Sequence, residues 1–478
     1  GPEDPWPTAR GRAGPGLYGV SQHAAPGSWG KRLAWAFPGA RGNHSTVFVG
    51  GVAIDGERSV YAAAFDCIYK LNESGSIVWL YPVRTSNAPV IHTGALYSTS
   101  NDGRMFALDM KTGTKIWETQ VSERIGQGTT STGVSDGIVI GSTHGKPDGV
   151  PTDILDRGNA KVTGVNASDG AILWQYEPAA QLQNFVPVFT GEGTFVFQDQ
   201  IGGVYHLKTA TGEVIWKSGY TGHWVESWTA GAAMIGPNRK VYVVHTDCAY
   251  DHSTKYPLCT PLQPGTVRAY LLDTGELVWS QATPYSPSSQ PLVAKLGSTP
   301  GLTLVLPIGL PAALPPSLAI WGWPLPDFLK LLAFRINAWL GDSQVLLWKN
   351  TPWRSLVQAY DAETGARRWS WAPPDLVKGF SAGDEELLVP RLKRAASRQF
   401  CAPSLWAGPT ADAEGTLFLG HANGRVYALR DADGDGALDP RTEVAEFDAQ
   451  AAFGHPGLGI APGMAVVASC DAVLAFKD

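Results

Sequence analysis

The chain has 478 residues, 44% hydrophobic and 17% charged, with 55 Gly, 35 Pro and 18 Trp. Turn-forming residues at this density, with few helix-forming stretches, exclude a helical bundle and favour an all-β fold. A formal net charge of −6 leaves no basic footprint, so neither nucleic acid nor an anionic membrane surface is an expected partner.

The first element in chain order is a Gly- and Pro-rich arm over residues 1–28, expected either to reach a neighbouring molecule or to be disordered. Gly30 to Trp35 then reads as an isolated turn and strand. After it one motif recurs: an alternating apolar strand, a turn ending in Gly, and a short strand ending in Trp. The copies end at Trp79, Trp117, Trp174, Trp216, Trp279 and Trp369, each four residues after Gly75, Gly113, Gly170, Gly212, Gly275 and Gly365. The fullest read Ala107-x-Asp109-x-x-Thr112-Gly113-x-x-x-Trp117 and Ala359-x-Asp361-x-x-Thr364-Gly365-x-x-x-Trp369. A seventh copy begins at Val426, with Phe447 in the place expected for Trp. The eighth is split: Val473 to Asp478 lacks a following turn and strand, and Gly30 to Trp35 supplies them.

Two more strand signals precede each copy, as at 88–92 and 95–99. Four short strands per copy, separated by turns, describe one propeller blade. The expected fold is therefore an eight-bladed β-propeller of four-stranded antiparallel blades over 29–478, closed by pairing of its N- and C-terminal strands. The Gly permits positive φ in the third turn, and the Trp is large enough to cover the gap between blades.

Successive motif glycines are 38, 57, 42, 63 and 90 residues apart, where a plain blade needs about 40. The excess predicts insertions at about 142–160, 247–264 and 307–350, each between second and third strands, so that one propeller face is elaborated. The second insertion holds Cys248 and Cys259, the favoured disulfide pair; pairing among Cys67, Cys401 and Cys470 is left open. His245, Asp247, Asp251 and His252 nearby lack the spacing of a zinc site. In the third, Leu302 to Leu325 is almost uncharged, but its five prolines forbid a membrane helix. Asp327 is placed to cap a helix over Phe328–Leu340. Its apolar surface, including Phe328, Leu331, Phe334 and Trp339, either packs on the propeller or docks another protein.

In the seventh blade the Gly turn is replaced by Asp431-x-Asp433-x-Asp435-Gly436-Ala437-x-Asp439. Alternate carboxylates with a backbone carbonyl at Ala437 can converge on one hard cation, so a structural calcium is expected. Thr442 stands where an EF-hand has Glu. Of three N-x-S sequons, Asn72 and Asn166 fall in turns of the opposite, plain face, and Asn43 in the connection into the first blade.

The A-x-D-x-x-T-G-x-x-x-W pattern resembles the tryptophan-docking motif of the PQQ-dependent (quinoprotein) dehydrogenases and their non-enzymatic relatives, over nearly the whole chain from Gly30. The enzymes of that family hold quinone and a catalytic calcium at the channel mouth beside an Asp base, many of them stacking the quinone on a disulfide of adjacent cysteines. Here no two cysteines are adjacent, and the calcium loop lies at a blade edge. Asn87, Asn184, Glu226 and Gln290 are polar residues near the starts of innermost strands, as any propeller has. PQQ is thus not expected, and the chain reads as a non-catalytic member; a quinone-dependent oxidoreductase acting on alcohols or sugars is the competing class. The last quarter, with Ala461-Pro-Gly-Met464 before Cys470-Asp471, more weakly resembles green-algal PQQ-like-domain proteins. Sequons and cysteines favour an extracytoplasmic compartment. The favoured reading is a secreted or cell-surface module that binds a protein or glycan partner through its elaborated face, which the algal likeness would place at a cell or flagellar surface.

Overall fold

The computed structural model describes residues 3–38, 47–85, 87–123, 131–143, 159–180, 182, 184–199, 201–219, 232–246, 250–251, 256–257, 264–287, 289–309, 354–376, 381–383 and 405–478. They form eight four-stranded antiparallel sheets, the blades of one propeller. Blade 1 comprises Phe48–Ile54, Val60–Ala64, Cys67–Leu71 and Ile77–Pro82, and its sheet order follows its chain order. Blades 2 to 7 repeat this meander, opening at Val90–His92, Gly133–Ser135, Val188–Phe189, Met234–Ile235, Leu292–Ala294 and Thr410–Ala411. In blade 8, Gly459–Ala461, Met464–Ala468 and Val473–Lys477 are completed by Trp35–Phe37, with Trp35 opposite Ala475 and Phe37 opposite Val473. That pairing closes the ring and removes the two edges an open array would expose.

Burial follows radial position. The second strands Val60–Ala64, Ala95–Ser100, Ile138–Thr143 and Thr303–Ile308 are buried at every residue. Each is covered on both faces by neighbouring blades, so burial does not alternate along it; Ala95–Ser100 and Ile138–Thr143 nonetheless end in buried Ser and Thr. The outermost strands are largely exposed, as in Ile77–Pro82.

The N-terminal arm neither reaches outward nor lies apart from the propeller: residues up to Ser21 enter its central channel. The stretch to Ser28 runs on over blades 7 and 8, where Ala25 N donates to Asp412 Oδ2 and Ser28 Oγ to Lys477 O. Trp6, 1% exposed, exchanges backbone hydrogen bonds with Ile54 of blade 1 and packs by Gly459 of blade 8. Pro7 O accepts from Ile91 N of blade 2. Arg10 Nε donates to Ser131 Oγ, just before blade 3. Tyr18 Oη donates to Pro187 O and accepts from Phe189 N of blade 4. Gly16 N donates to Ile235 O of blade 5, Gly19 lies against Leu292 of blade 6, and Ser21 N donates to Ala411 O of blade 7. The arm therefore touches the inner edge of all eight blades.

Long connections join the second and third strands of blade 3 (after Thr143), blade 5 (after Thr246) and blade 6 (after Ile308). The blade 5 connection carries a small hairpin, Tyr250–Asp251 with Tyr256–Pro257. Phe328, Leu331, Phe334 and Trp339, the Cys248 and Cys259 pair, and Asn43 lie outside the described residues. Among the described residues no helix is long and apolar enough to cross a membrane.

Candidate functional site

Three structures stand out: the joints between blades, the acidic loop that interrupts them, and the filled channel. At six joints a Trp from one blade lies over the motif glycine of the next. Trp35 covers Gly75, Trp79 covers Gly113, Trp117 covers Gly170, Trp174 covers Gly212, Trp216 covers Gly275 and Trp279 covers Gly365. A Cβ on any of these glycines would lie 2.5–2.7 Å from the ring, and each glycine has φ between +69° and +81°. Glycine is thus required twice, for backbone conformation and for ring approach. Each indole also donates Nε1–H to a carbonyl of that turn: Trp35 to Glu73 O at 2.9 Å, Trp79 to Met110 O at 3.1 Å, and Trp117 to Ala167 O at 2.8 Å. Trp174 reaches Thr209 O at 3.0 Å, Trp216 reaches Leu272 O at 2.8 Å, and Trp279 reaches Ala362 O at 3.3 Å.

Blade 7 breaks this pattern on both sides. Trp369 is buried at 4% exposure, yet its Nε1 has no hydrogen-bond partner, because the facing turn is the acidic loop. The strand pair that flanks the loop also lacks the register shift found beside the motif in blades 1 to 6. Ala428 consequently faces Ala445, whereas Ala107 faces Trp117 and Ala359 faces Trp369. Phe447, expected in the tryptophan's place, instead faces Val426 and packs edge-on against Phe476 at 4.9 Å.

Within the loop, carboxylate oxygens of Asp431, Asp433 and Asp435 lie within 4.8 Å of one another. Their backbone bonds fold the loop: Asp431 accepts from Gly434 N, Asp433 from Asp435 N, and Asp435 from Ala437 N. Asp439 stands apart from the cluster, and its Oδ1 accepts from Arg441 N at 2.9 Å. Glu443, one position beyond the twelve-residue frame, went unrecognised in the sequence. Its carboxylate accepts from Ala432 N at 2.6 Å and Asp439 N at 2.9 Å, bracing the loop from beneath. The N–H groups of Asp439, Ala432 and Asp433 hold that carboxyl below its ordinary pKa. The loop also grips blade 6, since Ser298 N donates to Asp431 O, Ser298 Oγ to Ala432 O and Thr299 Oγ1 to Asp431 Oδ2.

Asn72 and Asn166 occupy the turn position that Asp109 and Asp361 hold in the fullest motifs. Asn72 Oδ1 accepts from Ser74 N and Ser76 N, and Asn166 Oδ1 from Ser168 N, as Asp109 Oδ1 does from Lys111 N and Thr112 N. These bonds give the two asparagines a turn-building role. Cys67 is a buried free thiol, pushed up to about 12 by burial, and Cys470 is disulfide-bonded. His245 is buried in blade 5 and burial drives its pKa down to about 3; the side chains of Asp247, Asp251 and His252 lie outside the described residues.

At the channel axis Asn87, Asn184 and Gln290 are all buried, while Glu226 lies outside the described residues. Asn87 bonds Thr99 Oγ1, and Asn184 Nδ2 lies 2.8 Å from His455 Nε2. Burial, helped by the Arg10 charge, lowers His455 to about 3. The arm leaves a cavity of about 10 Å³, lined by Arg10, Tyr18, Gln290 and Gly408 among others. A volume of that order holds about one water, so this axial cavity does not fit a tricyclic quinone.

Blade count, joints and closure together define an eight-bladed propeller of the PQQ-like class. The family model described as "Outer membrane protein assembly factor BamB" matches residues 28–184 and 157–300, which together exceed half of the chain. The chain belongs to that family. A BamB from Nitrosomonas eutropha is 30% identical over 176 residues, covering 31% of this chain. The chain spans only 40% of that relative's length. Among solved structures, BamB from Moraxella catarrhalis aligns over 91% of this chain and 97% of its own, with 14% identity and a TM-score of 0.54. The quinohemoprotein alcohol dehydrogenase from Comamonas testosteroni aligns over 93% and 76%, with 13% identity and a TM-score of 0.55. At such identities these structures share the fold alone.

Proposed function

We propose that the chain is a non-catalytic, calcium-stabilised propeller that binds a protein partner in an assembly outside the cytoplasm. The observation that carries this reading is the channel: where the fold has its central cavity, the chain's own arm fills it against all eight blades. Function then moves to the outer surfaces. Membership of a family described by an assembly factor supports a protein partner. So do the apolar residues exposed on the outer strands of blades 1 to 5, such as Leu80, Ile116, Leu173, Ile215 and Leu277. The disulfide at Cys470 supports an oxidising compartment, such as a periplasm or an extracellular surface. The apolar residues Phe328, Leu331, Phe334 and Trp339 remain the proposed docking element, and glycan is the alternative partner.

Calcium has a specific structural task here. It would neutralise the Asp431, Asp433 and Asp435 cluster and stiffen the loop that joins blades 6 and 7, the joint where Trp369 lacks its carbonyl. Calorimetry should show calcium uptake by the wild type and none by Asp433→Ala, with EGTA lowering the wild-type melting temperature by several degrees. No uptake, with unchanged melting of the variant, would remove calcium from the proposal. For the activity class, the protein is supplied with PQQ, calcium, a dye acceptor and alcohol or sugar substrates. No turnover is expected, and turnover would establish the oxidoreductase reading instead. Phe334→Asp or Trp339→Asp should abolish the native complex in mass spectrometry while leaving circular dichroism unchanged; a wild-type protein that stays monomeric in native extracts refutes the partner claim.

A further inference from the structure

The arm carries a charge into the channel that nothing nearby balances. Arg10 is 5% exposed, and among the described residues its one hydrogen-bonded side chain is neutral, Ser131 Oγ at 3.3 Å from Nε. Among the described residues its Nη2 has no hydrogen-bond partner and no carboxylate pairs with it, Tyr18 being the one titratable group that acts on it. Gln290 shares the axial cavity, is 2% exposed, and its Nε2 likewise has no partner. Gly408 brings the two together: a Cβ there would lie 3.6 Å from Arg10 Nη1 and 3.7 Å from Gln290 Oε1. The neighbouring His455 is held neutral by burial and adds no second positive charge.

An isolated buried cation is expensive in a low-dielectric interior unless an anion or several dipoles accompany it. The groups that line this cavity present unused donors. We propose that the channel axis is a binding site for a single small monovalent anion, chloride in the physiological setting, held by the Arg10 guanidinium and by Gln290 with its amide turned so that Nε2 takes the place of Oε1. The volume of about 10 Å³ limits the ligand to about the size of one water. It accepts a monatomic ion and excludes sulfate, phosphate and organic carboxylates. The bound anion would fasten the arm's tip in the channel, coupling arm docking to halide concentration.

The test is thermal unfolding of the full chain at saturating calcium, with sodium chloride replaced by sodium gluconate at constant ionic strength. The wild type should gain about 1 °C for each tenfold rise in chloride above its Kd, and Arg10→Met should lose that dependence. Gln290→Leu, which leaves the arm's sequence intact, should weaken chloride affinity by about tenfold or more, so the site is tested even if Arg10→Met undocks the arm. A crystal soaked in bromide should show an anomalous peak between Arg10 and Gln290. A chloride-independent wild type, wild-type chloride dependence retained in both variants, or a bromide-soaked crystal with water alone at this position overturns the assignment.

Discussion

Six joints of the propeller are built alike, whereas the two that flank blade 7 are built differently from them and from each other. At the six, an indole, a glycine of positive φ and one carbonyl form a unit that couples packing to a hydrogen bond. Between blades 6 and 7 the glycine turn has become an acidic loop, and contact shifts to Ser298 and Thr299 on Asp431 and Ala432, and to Trp371 against Tyr427 at 4.9 Å. Between blades 7 and 8 the bulk comes from Phe447 on Phe476 and from Trp29, which follows the arm and stacks edge-on with Phe418 at 5.0 Å. A repeat thus tolerates loss of its docking motif where another element supplies the buried area. The irregular joints lie where the acidic loop and the arm meet the ring.

The largest test of this contrast truncates an indole. Trp117→Ala should destabilise the fold by about 3–5 kcal/mol, the range for a large buried aromatic, read from denaturant midpoints. Phe447→Ala, at a half-buried position, should give less than half of that; equal losses would show that blade 7 depends on its ring as the other blades depend on theirs. Gly113→Ala comes next, at about 2–4 kcal/mol. It combines a left-handed backbone conformation that Ala disfavours with a methyl forced to 2.7 Å from Trp79. Gly436→Ala, where the nearest atom to a Cβ is Arg368 O at 3.6 Å, keeps the conformational penalty but not the clash, and should lose about half as much.

The regular joints were legible in the sequence because each needs the same steric pair four residues apart, and that recurrence is visible without a structure. Strand closure was legible for a related reason: the eighth copy is cut at a known place in a known period. The arm was not, since its contacts to Ile54, Ile91, Phe189, Ile235 and Ala411 are made to backbone atoms of five different blades and leave no periodic trace. Trp6 and Tyr18, large aromatics in a Gly- and Pro-rich segment, were the available signal. Glu443 and the displaced Phe447 escaped because both follow from a change of register, which depends on how the loop folds and not on which residues it contains.

Acid should loosen the irregular side of the ring. His421 in blade 7 and His455 just beyond it are driven by burial to about 4 and about 3 respectively. Both are neutral in the fold but take up a proton in the unfolded chain below about pH 6.5. Their stabilisation is therefore complete above that pH and is lost as pH falls towards 4. By pH 5 the loss is about 2 kcal/mol for each. His421→Gln should lose about 2 kcal/mol less than the wild type between pH 6.5 and 5; identical pH profiles would mean that His421 is already protonated in the fold.

The finest distinction concerns one hydrogen bond. Trp→Phe keeps an aromatic ring in the joint but removes the indole N–H. At Trp117 that deletes the 2.8 Å bond to Ala167 O and leaves this half-buried carbonyl only the longer 3.3 Å bond from Tyr97 Oη, a loss of about 1 kcal/mol beyond the change in ring size. At Trp369 the N–H has no partner to lose, so its removal relieves an unsatisfied buried donor. Trp369→Phe should accordingly be milder than Trp117→Phe by about 1–2 kcal/mol in matched unfolding curves. Adding calcium sharpens the comparison, because an ordered acidic loop should leave the Trp117 value unchanged and alter only the Trp369 one. Equal losses at both sites, with or without calcium, would show that the indole bond contributes nothing and that ring area alone holds the blades together.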